Sequence, residues 1–163
     1  MRTMKCVFYL KKDLQSKFLR PMFELSYENI RHLLPIDSDK EKNYQIYLSR
    51  AVPHFDYNVL LFDDNNIVVG YLQYRIIDQS IYLDDIQIKS GHQNKGYLKE
   101  MIETAIPHIP NNTKNIYCSI EKANFTARSI AEKYHLKEVS ESEDGFMVIC
   151  QARYHDVIKN NDN

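Results

Sequence analysis

The stretch IQIKSGHQNKGYLKEMI, Ile86 to Ile102, decides how the rest of the chain is read. It opens on an alternating apolar segment and closes on a helical one. Between them lie Gly91 and Gly96, two of only four glycines in the sequence. Glycine allows tight turns and close approach of the backbone to a ligand. A helix starting after such a turn presents amide N–H groups with no partner inside the helix, and these suit an anion, above all a phosphate. Lys95 and Lys99 add positive charge. Gly91 and Gly96 have the Walker-loop separation, but Tyr97-Leu98 follows where lysine and a hydroxyl residue are required, and no G-x-G-x-x-G occurs. On these residues alone, a phosphate-binding turn and a plain strand-to-helix connector both stay open.

Outward from this stretch the pattern is ordered. Upstream, NVLLFDDNNIVVGYLQYRIIDQSIYLDDIQIKS reads as three strands joined at Asp63–Asn66 and Asp78–Ser80. Such short connections make an antiparallel meander. Downstream, Leu98, Met101, Ile102, Ala105 and Ile106 line one face of a helix that Pro107 and Pro110 stop. NIYCSI (Asn115 to Ile120) is a strand, and strand–helix–strand in this order favours a parallel crossover. Asn124 is a good cap for a helix carrying Ala127, Ile130, Ala131 and Tyr134 on one face. LKEVS and FMVICQARY close the chain as a hairpin turning at Asp144-Gly145.

The amino-terminal part is less regular. CVFYL (Cys6 to Leu10) reads as a strand, followed by helical pieces. Pro21 is expected to interrupt the first piece, and Pro35 and Pro53 to end later ones. Ser26 is placed to cap a short helix with Ile30, Leu33 and Leu34. Asp37 or Ser38 is placed to cap another with Tyr44, Tyr47, Leu48 and Ala51. The expected fold is α+β: a mixed, largely antiparallel sheet with a parallel central pair and helices on both faces. A single domain is expected over residues 1–156, with a flexible tail over 157–163.

Composition narrows the function classes. The 163 residues are 44% hydrophobic and 26% charged, with a formal net charge of -1. Nothing there points to non-specific nucleic-acid binding. No apolar run approaches the ~20 residues of a membrane span. MRTMKCVFYLKKD lacks a small-residue cleavage site and reads as a first strand, not a signal peptide. Cys6, Cys118 and Cys150 fit no metal motif, and the histidines have no ligand spacing, so no metal is expected. Free thiols in a reducing cytoplasm are the expectation.

Ile86 to Ile102 resembles the acyl-CoA-binding segment of the GNAT superfamily of N-acetyltransferases. That family's pattern is a strand, then [QR]-x-x-G-x-[GA] opening a helix; here it reads Gln93-Asn94-Lys95-Gly96-Tyr97-Leu98. NFTARSIAEKYHL resembles the family's later helix, with Asn124, Ala127, Ile130 and Lys133 in place. The resemblance covers the chain from about Tyr57 onward. It departs at Leu98, where glycine or alanine is usual, and at Ser90, where proline is common. It departs again at Ala131, the position of the family's tyrosine acid, and at His135-Leu136, where glycine-phenylalanine usually closes the helix.

The resemblance implies acetyl-CoA as co-substrate and direct transfer of its acetyl group to a primary amine. It implies an acyl-CoA N-acyltransferase-like fold. The pyrophosphate is placed on the amides of Gln93, Asn94, Lys95, Gly96, Tyr97 and Leu98, and the pantetheine arm along Ile86, Gln87 and Ile88. Asn124 is placed at the pantetheine region, and Arg128 within reach of a CoA phosphate. The base is expected on the strand before the turn. Alternation sends Asp84 and Asp85 to opposite faces; Asp84 is favoured, with Asp85 second and Tyr82 as accessory. Tyr134 reads as packing, not as the acid. The acidic runs DSDKE and ESED are placed to attract a cationic amine, or form solvated surface. A homodimer is compatible with the sequence. A non-catalytic acyl-CoA-binding or regulatory domain is the alternative that Ala131 keeps in view.

Overall fold

Tyr57 to Ile88 forms the expected meander. Strands β2 (Tyr57–Phe62), β3 (Val68–Ile77) and β4 (Ser80–Ile88) follow one another with short turns. Asp63 Oδ1 accepts from the amides of Asn65 and Ile67, closing the first turn. Asp78 and Gln79 both take positive φ, which lets two residues reverse the chain at the second. In chain order the elements are β1 (Lys5–Leu10), α1 (Leu19–Ile30), α2 (Lys40–Ile46), β2, β3, β4, α3 (Tyr97–Ala105), β5 (Asn115–Glu121), α4 (Phe125–Lys133), β6 (Lys137–Glu141), β7 (Met147–Arg153) and α5 (Tyr154–Asn161). The computed structural model describes residues 4–30 and 39–161.

The strands form a seven-stranded sheet in the order β1-β2-β3-β4-β5-β7-β6. β4 and β5 are parallel; β1–β2, β2–β3, β5–β7 and β6–β7 pair antiparallel. The chain divides into two compact units, Met1–Arg75 with Asp85–His108, and Ile76–Asp84 with Ile109–Asn163.

In the first unit, Leu60 and Tyr71 are cross-strand partners on β2 and β3. Both are fully buried, with Phe18, Met22 and Leu25 from the α1 region and Phe55 joining them in one apolar cluster. The register slips between Leu61 and Phe62, a bulge that brings Val68 into the same cluster. Helix α3 packs against β1 and β2 through Tyr97, Met101 and Ala105. The buried stripe thus begins at Tyr97, and Leu98 is only half-buried.

Two helix expectations are corrected. Pro21 does not interrupt a helix: α1 starts at Leu19, so Pro21 lies in its first turn, where no intrahelical N–H bond is lost. Ser26 lies inside α1 and is not a cap. The cap of α2 is Asp39, whose side chain accepts from the Lys42 amide. Leu33, Leu34, Pro35, Asp37 and Ser38 lie outside the described residues.

In the second unit, β5 and β7 pair along their full lengths and β6 adds to β7. Asn124 caps α4, its Oδ1 accepting from the Ala127 amide at 3.1 Å. The helix ends on His135, whose φ of 68° is left-handed. The Leu136 amide reaches back to the Ala131 carbonyl and the His135 amide to Glu132, a Schellman closure normally built on glycine. Leu136 is buried beyond it. Ile130 departs from the expected face and is 41% exposed. Residues 154–161 form α5, with Val157 and Asn161 buried, where the sequence suggested a flexible tail from residue 157.

Candidate active site

The glycine turn is built by local chemistry. The chain leaves β4 at Ile88, and the Lys89 amide donates to the Val69 carbonyl, tying the strand's end to β3. Gln93 Nε2 donates to the Ile88 carbonyl at 2.9 Å, so the side chain that opens the motif folds back on the strand. Asn94 (φ 60°) and Gly96 (φ 85°) are both left-handed. Asparagine and glycine tolerate this region best. Gly96 is the residue before α3, and the Glu100 amide donates to its carbonyl. A Cβ built on Gly96 would meet nothing within 4 Å. The need for glycine inside the protein is therefore conformational, and the space over the turn is open. Gln93, Asn94, Lys95 and Gly96 are exposed. Tyr97 is buried, its ring tilted against His92, so its amide and not its side chain belongs to the turn.

The parallel register of β4 with β5 runs from Ser80↔Asn115 to Leu83↔Cys118, while β4 continues to Ile88. Alternation separates the two carboxylates as expected. Asp84 is exposed and belongs to the second unit; Asp85 is half-buried and belongs to the first. Asp85 sits in a side-chain network. Tyr71 O–H donates to Asp85 Oδ2 at 2.6 Å, and Gln87 Nε2 donates to Oδ1 at 2.8 Å. Asn29 of α1 donates in turn to Gln87 Oε1 at 2.9 Å and to the Ile88 carbonyl at 3.2 Å. Complete burial, and then the Asp85 charge, hold the Tyr71 phenol protonated well above the ordinary tyrosine range. Gln87 therefore directs its side chain into this network, and only its backbone is available along the strand edge.

Ile86 follows Asp85 in the first unit, and Tyr82, Asn124 and Arg128 fall in the second. Tyr82 stacks on Tyr117, its register partner, with centroids 5.1 Å apart. Asn124 uses its carbonyl oxygen as the α4 cap. The Arg128 guanidinium is engaged by Glu138 at 2.7 and 3.1 Å and by the Lys122 carbonyl at 2.7 Å. Tyr134 donates to Asn161 Oδ1 at 3.3 Å, in keeping with a packing role. A cavity of about 470 Å³ beside α4, β6 and β7 is lined in part by Arg128, Glu138 and Cys150. It contains neither the glycine turn nor Asp85, and the Arg128–Glu138 pair in its wall is already formed.

Sequence reasoning missed Tyr71 and Asn29, which hold Asp85 and Gln87. Tyr71 reads as one more aromatic in an apolar strand. The polar residues on buried strands were the available signal: Asn58 and Gln73 are fully buried and bonded to each other, and Gln87 marks the strand beside them.

Among the described residues, no helix is long and apolar enough to cross a membrane, and no cluster of three His, Cys, Asp or Glu side chains is placed to hold a metal ion.

Solved structures with this architecture include several acetyltransferases. The chain is similar to a GNAT-family acetyltransferase from Staphylococcus aureus Mu50, with a TM-score of 0.68 at 13% identity over 93% of this chain and 99% of that one. It is similar to the PaiA N-acetyltransferase from Thermoplasma acidophilum, solved in complex with coenzyme A, with a TM-score of 0.67 at 14% identity over 93% and 99%. The ribosomal-protein-S18-alanine N-acetyltransferase of Escherichia coli gives 0.58 at 13% identity over 91% and 94%. No curated protein sequence matches the chain. The profile of the acetyltransferase (GNAT) family matches residues 18–135. The chain belongs to the acetyltransferase (GNAT) family.

Proposed function

We propose that the protein transfers an acetyl group from acetyl-CoA directly to a primary amine of a small molecule or peptide. The observation that carries this reading is Gly96: a left-handed residue, open to solvent, immediately before α3. The first amides of a helix attract a phosphate through their N–H groups and the helix dipole. In this reading the amides from Gln93 to Leu98 hold the CoA pyrophosphate, and the backbone from Ile86 to Ile88 hydrogen-bonds the pantetheine arm. Asn124 contacts the arm as a second role beside its cap. Arg128 ranks below it, because reaching a phosphate requires releasing Glu138.

Transfer forms a C–N bond and breaks the thioester C–S bond. The amine must shed a proton, and the departing thiolate must gain one. We place Asp85 ahead of Asp84 as the base, because Tyr71 and Gln87 fix its orientation. Asp84, exposed on the strand, is second and would act through water. With Ala131 buried at the family's tyrosine position, the thiolate takes its proton from water. That alanine also favours a second reading, a non-catalytic acyl-CoA-binding domain.

Thermal unfolding with and without acetyl-CoA tests the shared part. A ligand at 100 times its Kd stabilises by about 2.7 kcal/mol; no shift at saturation removes both readings. Amine-dependent thiol release then separates them.

A further inference from the structure

We infer that Cys118 and Cys150 form a reversible oxidation site, closing to a disulfide by exchange with a small-molecule disulfide. The two cysteines are register partners on the antiparallel strands β5 and β7. Both are free thiols. Directly opposed residues project from one face of a sheet. On this face the pair is flanked by Ile116 opposite Ala152 and by Ile120 opposite Val148, all buried. Both cysteines belong to one compact unit.

Hydrogen bonds at the two ends of the ladder fix the type of pair. The Lys122 amide donates to the Phe146 carbonyl at 2.7 Å, and the Tyr154 amide to the Lys114 carbonyl at 2.9 Å. Hydrogen-bonded and non-hydrogen-bonded pairs alternate along an antiparallel ladder. The register between these ends is unbroken, and the cysteines lie an even number of residues from both. They are therefore a hydrogen-bonded pair, with Cα atoms about 5.5 Å apart. That falls within the disulfide range of about 4.4–6.8 Å. Opposed Cβ atoms stand about 4.5–5.5 Å apart, against about 3.8 Å in a disulfide. Closure draws the strands together, and a strained disulfide is the more easily reduced. The same geometry that permits the bond makes it reversible.

Exposure orders the two steps. Cys118 is partly exposed, whereas Cys150 is only 1% exposed. The Cys118 thiolate attacks one sulfur of the small disulfide and releases the other half as a thiolate. The Cys150 thiolate then attacks Cys118 Sγ and releases the second half. Two protein thiols and one small disulfide become one protein disulfide and two small thiols. Two electrons leave the protein, and its two protons end on the released thiols. Burial raises the pKa of both cysteines, which slows the first attack. The second is effectively unimolecular, because Cys150 already faces the sulfur it attacks.

The test is incubation of the native protein with glutathione disulfide, then alkylation of the remaining thiols and peptide mapping by mass spectrometry without reduction. The expected result is a linked Cys118–Cys150 peptide, with Cys6 alkylated, and loss of the link on adding reduced glutathione. Cys150→Ala is expected to stop at a mixed disulfide of glutathione on Cys118. No linked peptide, glutathione adducts in its place, links to Cys6 in equal yield, or a link that reduced glutathione does not reopen would overturn the inference. Mapping of the native protein needs no variant to fold.

Discussion

The Tyr71 hydroxyl donates to Asp85 Oδ2 at 2.6 Å, from a residue with no solvent exposure to one at the edge of solvent. The bond joins the apolar cluster under α1 to the carboxylate proposed as base. Tyr71→Phe keeps the packing and removes only the donor. It is expected to cost about 1–3 kcal/mol, the range for leaving a buried partner unsatisfied, and to lower turnover without changing CoA affinity. Urea unfolding and CoA titration of the same variant check both halves.

The glycines of the turn give a contrast. Gly96 is left-handed and Gly91 is not, though a methyl group added at either would meet no neighbour within 4 Å. Gly96→Ala is expected to cost about 1–2 kcal/mol from the left-handed backbone alone, and to weaken acetyl-CoA binding because the methyl group points into the open space over the turn. Gly91→Ala is expected to stay within about 0.5 kcal/mol of the native protein. Melting curves of both variants with and without acetyl-CoA make the comparison.

The adjacent aspartates are separable by the same logic. Asp85→Asn keeps the size of the side chain and removes the charge, leaving one acceptor oxygen for the two donors Tyr71 and Gln87. It is expected to lower kcat by about 10²-fold or more, the lower range for general base catalysis. Asp84→Asn is expected to change kcat by less than about tenfold, since its carboxylate is exposed and acts only through water. Equal effects of the two would return the assignment to Asp84.

Alkaline stability follows from the thiols. Burial, with a smaller contribution from Glu100 opposed by Thr104, pushes Cys6 up to about 11 from 9.0. Burial, then Cys150, pushes Cys118 up to about 12 from 9.0. Between those values the folded chain holds protons that the unfolded chain has released. The contribution is complete below 9.0 and is lost as pH rises toward about 11 and 12. Denaturant midpoints are expected to fall from about pH 9 upward, and Cys118→Ala to show a shallower fall. Parallel profiles for the two proteins would contradict this.

The sheet was legible in the sequence because its signals were local. Alternation in Tyr57–Ile88, the Asn124 cap and the Asp144-Gly145 turn each act over a few residues, and each appears where expected. The α1 boundaries were misread because proline excludes itself from helix interiors but not from a first turn. His135 shows the opposite error: a departure from the family's glycine left the left-handed closure intact. The glycine turn was readable as a motif. The Asp85 network was not, because Asn29, Tyr71 and Gln87 come from three separate elements, and only folding brings Tyr71 and Gln87 to the carboxylate and Asn29 to Gln87.

Amine acetylation itself is read most directly by thiol release from acetyl-CoA across a panel of primary amines, with mass spectrometry of the amines. An acetyltransferase with Asp85 as base gives release that depends on both enzyme and amine, in step with appearance of the acetylated amine, and lost in Asp85→Asn. Acetyl-CoA binding with no amine-dependent release across the panel would contradict this mechanism and leave the acyl-CoA-binding domain in its place.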